Sequence, residues 1–268
     1  MKRIEEFEVH LRKIGLSVNT IHSYLFAVKY FNDNYELNLE ALLEYKGYLM
    51  ENFKPKTVNL RIQSLNSYLK FIEQSSLCLK ALKIQQKSFL EDVISYADYL
   101  FLKKKLRNDS NMKWYFIVWY LGATGARVSE LTKLKVEHIY IGHFDVYSKG
   151  GKIRRLYIPK RLIEQSLKWL SDEHHDTGYL FLNRYDEAIT ARGIAQQLKF
   201  YARKYGLNEK VVYPHSFRHM YAKMFLEKFN DISLLADLLG HESIETTRIY
   251  LRRTSSEQKF IVDKIVTW

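Results

Sequence analysis

The sequence predicts a mainly α-helical protein of two domains, with one small antiparallel β-sheet set into the second. Three observations carry this. Apolar residues recur at three- and four-residue spacing along most of the chain. One window, Val136 to Ile158, switches to short β-prone runs cut by glycines. Finally, 268 residues, 47% hydrophobic and 27% charged, suffice for two ordinary domains with real cores.

Ser17 is placed to cap a helix whose apolar face is Ile21, Leu25, Val28 and Phe31. Asn38 starts the next, carrying Leu42, Leu43 and Leu49. Pro55 suits the first turn of another, with Val58, Ile62, Leu65, Leu69 and Ile72 along one face. A four-helix unit is the economical reading of this part. The stretch Glu73 to Ser88 holds Ser75, Ser76 and then a weakly patterned basic segment, and reads as a connection. As boundaries this gives a first domain over 1–78, a linker over 79–90 and a second domain over 91–268. Helix resumes from about Phe89 through Tyr99 and again over Trp114 to Leu121. Gly122-Ala123-Thr124-Gly125 is expected to break that run, and a new helix to start near Arg127. Ile139, Ile141, Phe144, Val146, Tyr147, Leu156 and Ile158 supply the sheet, with Gly150 and Gly151 in its hairpin. Helices then run to the C-terminus, the last about Glu257 to Val266 with Phe260, Ile261, Ile265 and Val266 as an apolar stripe.

Composition bounds the function. The net charge is +12, which suits a polyanionic partner. Residues 1–80 carry 11 Lys/Arg against 9 Asp/Glu, whereas 81–268 carry 31 against 21, so the second part would hold phosphates more strongly. The single cysteine, Cys78, excludes an internal disulfide framework and fits a reducing compartment. Acids at Glu5 and Glu6 stand where an export signal needs its apolar run. No apolar stretch approaches the roughly 18 residues of a membrane span. The expectation is a cytoplasmic protein without a membrane partner.

Four segments carry chemistry. They are Gly122 to Leu131, with Arg127 and Glu130; Ser148 to Arg154, with Lys149 and Lys152; Pro214 to His219, with His215 and Arg218; and Leu238 to His241, followed nine residues later by Tyr250. Two arginines, a lysine, histidines and a tyrosine form a set for binding a phosphate diester and attacking it with a side chain. Guanidinium forks clamp non-bridging oxygens, and such preorganised donors contribute roughly 100- to 1,000-fold each. A lysine on a hairpin can protonate a departing sugar oxygen. No carboxylate cluster of metal-binding type appears, which disfavours metal-assisted hydrolysis, and no cofactor is called for. His215 and His219 stand at a zinc-compatible spacing, but Ser216-Phe217-Arg218 between them lacks a glutamate and Arg218 repels a cation.

The order Thr-Gly-x-Arg-x-Ser-Glu-Leu, His-x-x-Arg-His, Leu-Gly-His and then Tyr over roughly 90–255 resembles the phage integrase or tyrosine recombinase family, including its Xer-type members. Ala126 and Phe217 stand where that family often has leucine. The resemblance implies a C-shaped clamp around double-stranded DNA, made of a helical core-binding domain and an α-rich catalytic domain. It implies Arg127 and Arg218 as phosphate clamp, Lys149 as general acid, His215 as proton acceptor, His241 as phosphate ligand and Tyr250 as nucleophile forming a 3′-phosphotyrosyl link. A different hairpin register would give the acid role to Lys152. It also implies strand exchange between specific recombination sites by four protomers without ATP, the last helix docking into a neighbour. A second recombinase or an accessory protein belongs to some such systems. Taken residue by residue, Arg127 pairing with Glu130 is an ordinary helix contact, His219 is expected to be a structural hydrogen-bonding residue, and Lys103, Lys104, Lys105 and Arg107 form either a solvated face or a phosphate contact. The rival readings are a type IB topoisomerase-like enzyme and a catalytically silent DNA-binding regulator.

Overall fold

A computed structural model of the chain describes residues 2–84, 92–147, 153–241, 243–251 and 255–265. The chain is mostly helical with one two-stranded antiparallel sheet, and it divides into two compact units, Met1–Gln86 and Lys87–Trp268. Among the described residues no helix is long and apolar enough to cross a membrane.

Unit 1 packs α1 (Lys2–Lys13), α2 (Val18–Asn34), α3 (Leu39–Asn52) and α4 (Pro55–Phe71). Ser17 Oγ accepts from the Thr20 amide and Asn38 Oδ1 from the Ala41 amide, so both caps form as the sequence indicates. Pro55 opens α4, where its missing N–H is not needed. Ile21, Leu25, Val28 and Phe31 are buried, as are Val58, Ile62, Leu65 and Leu69. Leu43 is not: it is 54% exposed, and Tyr45 fills the inner position between Leu42 and Leu49. Leu42 already points inward, and a residue one step along a helix turns about 100° away. After α4 the chain is stitched back onto it. The Asn66 amide donates to the Leu79 carbonyl and accepts from the Leu79 N–H, at 2.8 and 2.9 Å. The Asn59 amide does the same to Leu82, at 2.9 and 2.7 Å.

Unit 2 is organised around α6 (Met112–Thr124), packed between α5 (Tyr96–Asn108), α9 (Lys160–Asp172) and α11 (Pro214–Phe229). Tyr115 to Val118, Tyr120 and Leu121 are all buried, the pattern of a helix enclosed on every side. Gly122 does not break it. A Cβ there would fall 2.5 Å from the Tyr99 ring, so the glycine lets that ring lie against the helix, and α6 ends instead at Gly125, φ +61°. The window Val136 to Ile158 yields less sheet than its composition suggests. Val136–Ile141 forms a short helix, α8, closed by Gly142 at φ +77°; only β1 (His143–Tyr147) and β2 (Ile153–Tyr157) pair, with Val146 opposite Arg154. Ile139 thus reaches the core from a helix. Lys103 is no solvated residue: its Nζ lies 4.0 Å from the Trp119 ring centroid and faces Tyr99 and Tyr115, and burial pulls its pKa down to about 8.

The site is framed by α7 (Val128–Leu131), β2, α10 (Ala191–Lys204), α11, α12 (Ile232–Leu239) and α13 (Ile244–Arg248), with a 3₁₀ turn at Ile249–Leu251. The last helix, α14 (Ser255–Ile265), leaves Phe260, Val262 and Ile265 exposed; Val266 lies outside the described residues.

Candidate active site

The site is assembled on the C-terminal end of α12. A helix C-terminus has unpaired carbonyls and carries partial negative charge. Here three consecutive carbonyls each receive an arginine from a different segment. Arg154 Nη1 of β2 donates to Leu238 O at 2.6 Å, and Arg218 Nη2 of α11 to Leu239 O at 2.6 Å. Arg127 Nη2, preceding α7, donates to Gly240 O at 3.4 Å. Gly240 ends the helix at φ +61°, and a Cβ there would sit 2.1 Å from Arg154 Cδ, so both backbone and space require glycine.

Arg127 and Glu130 do pair, at 2.9 Å, and the Glu130 carboxylate also accepts the Arg127 amide at 2.7 Å. This contact does not remove Arg127 from the site. Its side chain keeps 40% exposure and lines an open cleft of about 1330 Å³ together with Gly240 and His241. Arg218 is 1% exposed; its Nη1 donates to Gly125 O at 2.8 Å and its Nη2 contacts His241 Nε2 at 3.0 Å. Burial first, then the Arg127 charge, pulls its pKa down to about 10, while the neighbouring Tyr250 hydroxyl works the other way.

An arginine only donates, so His241 Nε2 is the acceptor and Nδ1 carries the proton, which it gives to Thr247 Oγ1 at 2.8 Å. The neutral ring agrees with the electrostatics: burial, then Arg218 and Arg127, lower its pKa to about 4. His219 is lowered to about 4 as well, by burial and then His215, and His215 is lowered by burial and then Arg218. His219 Nδ1 is buried without a partner among the described residues, and the His219 ring lies edge-on to His215 at 4.6 Å and to Tyr250 at 5.1 Å.

Tyr250 is 3% exposed, stacked on His241 at 5.9 Å and packed with Ala222, Leu226, Leu235 and Leu239. The structure therefore brings Arg127, His215, Arg218, His241 and Tyr250 into one place. Lys149 and Lys152 lie outside the described residues. Arg154 and Thr247 have no role in the sequence reading. For Arg154 a signal existed: it shares strand parity with Leu156 and Ile158, which puts it on the inner face.

A model of the phage integrase family matches residues 101–257, across every segment of this site. The chain belongs to that family. Among integrase-family relatives, tyrosine recombinase XerA of Pyrococcus furiosus is 34% identical, covering 97% of this chain and 93% of its own length. XerA of Pyrococcus horikoshii is 32% identical over 97% and 92%. This integrase-family chain is thus a tyrosine recombinase of the Xer type. Two solved structures share its fold. The crystal structure of XerA recombinase covers 99% of its own chain and 100% of this one, at 22% identity and TM-score 0.56. A lambda integrase dimer bound to a COC′ core site covers 94% of its own chain and 93% of this one, at 15% identity and TM-score 0.74.

Proposed function

We propose that the chain is a site-specific recombinase that cuts and rejoins double-stranded DNA through a 3′-phosphotyrosyl intermediate. The observation that carries this is the packing of Tyr250 against Arg218 and His241, beside the cleft that Arg127 lines. Arg127 and Arg218 hold the non-bridging oxygens of one phosphate and offset the charge that attack adds. Tyr250 oxygen bonds to phosphorus, its proton passes to neutral His215, and the P–O5′ bond breaks. The 5′ oxygen takes its proton from Lys149 of the hairpin, or from Lys152 in the alternative register. His241 holds the phosphate; a bound anion offsets the arginines and makes its ring easier to protonate. Reversal of the same steps with a new 5′ hydroxyl rejoins the strand, so no ATP or other cofactor is consumed. Because Tyr250 packs in its own chain's site, each protomer cuts with its own tyrosine.

In this reading residues 1–78 bind DNA, 79–90 link, and 91–268 catalyse. Four protomers gather on two recombination sites, the exposed apolar residues of α14 docking into a neighbour. An accessory protein or second recombinase joins where the DNA site demands one, and the protein works in the cytoplasm. A nicked suicide duplex carrying a candidate site tests the chemistry. Wild type should give a covalent protein–DNA band on a denaturing gel, and Tyr250→Phe should give none. A band from the mutant removes Tyr250. Supercoil relaxation without recombinants favours a topoisomerase-like enzyme, and tight binding with no band favours a regulator.

A further inference from the structure

Arg154 is a charged residue where the fold asks for an apolar one. On β2 it alternates inward with Leu156, opposite Val146, and its side chain is 5% exposed. A buried ion pair seldom adds stability over apolar residues of similar volume, so its presence needs another account. Both of its Nη groups are engaged inside the protein.

What those groups hold is informative. Nη2 donates to Glu130 Oε2 and Nη1 to Leu238 O. Glu130 spends its other oxygen on Arg127 Nη1 and shares Oε2 with the Arg127 amide. Leu238 lies in the turn whose next two carbonyls receive Arg218 and Arg127, and which delivers His241. The Arg154 stem passes directly over Gly240, where a side chain would block it. A single fork thus links the strand leading from the hairpin, the carboxylate that orients Arg127 and the turn that carries His241. A lysine, with one ammonium, does not reproduce two diverging N–H bonds.

We propose that Arg154 is a positioning residue for strand cleavage: through Glu130 it aims Arg127, and through Leu238 it fixes the His241 turn. This rests on the recombinase reading given above. The test is single-turnover cleavage of the suicide duplex at saturating DNA, with wild type and Tyr250→Phe as controls. If wild type forms no tyrosine-dependent adduct, the recombinase reading itself has failed. If it does, Arg154→Lys should bind DNA as wild type yet cleave about 100-fold more slowly, the scale of a small misplacement of a catalytic group. The same change made on an Arg127→Lys background should cost far less, since Arg154 acts through Arg127. Wild-type cleavage by Arg154→Lys, or full multiplication of the two losses, overturns the proposal. Should Arg154→Lys not fold, the paired Arg154→Met and Glu130→Gln variant leaves no lone buried charge. It should fold, bind and still cleave slowly, and wild-type cleavage by it likewise overturns the proposal.

Discussion

In the core of unit 1 the buried polar residue among those described is Ser64, whose hydroxyl returns to the Leu60 carbonyl one turn back. In unit 2 the buried set includes Glu130, Arg154 and Arg218; the two arginines donate to the end of α12, and Glu130 accepts from Arg154. The first core is held by apolar burial and aromatic edges such as Phe31 on Tyr45 at 5.5 Å. The second bears the desolvation of three ionised groups. The contrast teaches that buried charge here follows chemistry rather than folding, since a helical unit of similar make does without it.

The comparison can be broken most severely at Phe31. Phe31→Ala should cost about 3–5 kcal/mol in unit 1. Trp114, Trp119, Trp169 and Trp268 all belong to unit 2, so fluorescence follows that unit by itself. Urea unfolding of the variant should then show an early circular-dichroism transition that tryptophan fluorescence misses; coincident transitions would mean the units melt together. Arg218→Met should lower cleavage by roughly 100- to 1,000-fold. Its stability, read by urea unfolding, should change by no more than about 1–3 kcal/mol, the loss being carbonyl partners rather than apolar contact. A collapse of the fold would show that this charge is structural after all.

Acid sharpens the contrast further. His241 and His219 have folded pKa values near 4, against 6.5 for a free histidine. Between those values the unfolded chain binds more protons than the folded one. Stability from this source is therefore complete above pH 6.5 and lost as pH falls from 6.5 toward 4. Tryptophan fluorescence of urea unfolding at descending pH should track that loss, and a bound DNA duplex should lessen it by offsetting the arginines. An unchanged midpoint down to pH 5 would contradict the assigned neutral rings. The smallest effect is at a cap: Ser17→Ala should cost about 1 kcal/mol by circular dichroism and leave cleavage of the suicide duplex untouched.

Unit 1 was legible because one rule governs it. Caps at Ser17 and Asn38, Pro55 at a helix start and apolar spacing all act locally, and they failed only at Leu43, where two adjacent leucines compete for one inward position. In unit 2 the side chains that the structure gathers, Arg127, His215, Arg218, His241 and Tyr250, were picked out by motif order, because the proposed chemistry demands particular residue types. Their supports could not. Val136–Ile141 has strand-like composition but sits on a short helix, where tertiary packing overrides propensity. For Arg154 strand parity marks only the inner face, since its partners, Glu130 and Leu238, are 24 and 84 residues away.

At the end of α12 the acceptors for the three arginines are main-chain oxygens, which every residue possesses. No side-chain replacement at Leu238 or Leu239 deletes the acceptor itself, and mutational drift there is harmless to the guanidinium contacts as long as the helix stops on schedule. What the arrangement does not tolerate is a change of count. One residue inserted within α12 would rotate everything after it by about 100° and swing all three carbonyls away together. The weak point of this site is thus its numbering along the chain rather than its lettering, and Gly240, which marks where the count ends, is its most exposed character.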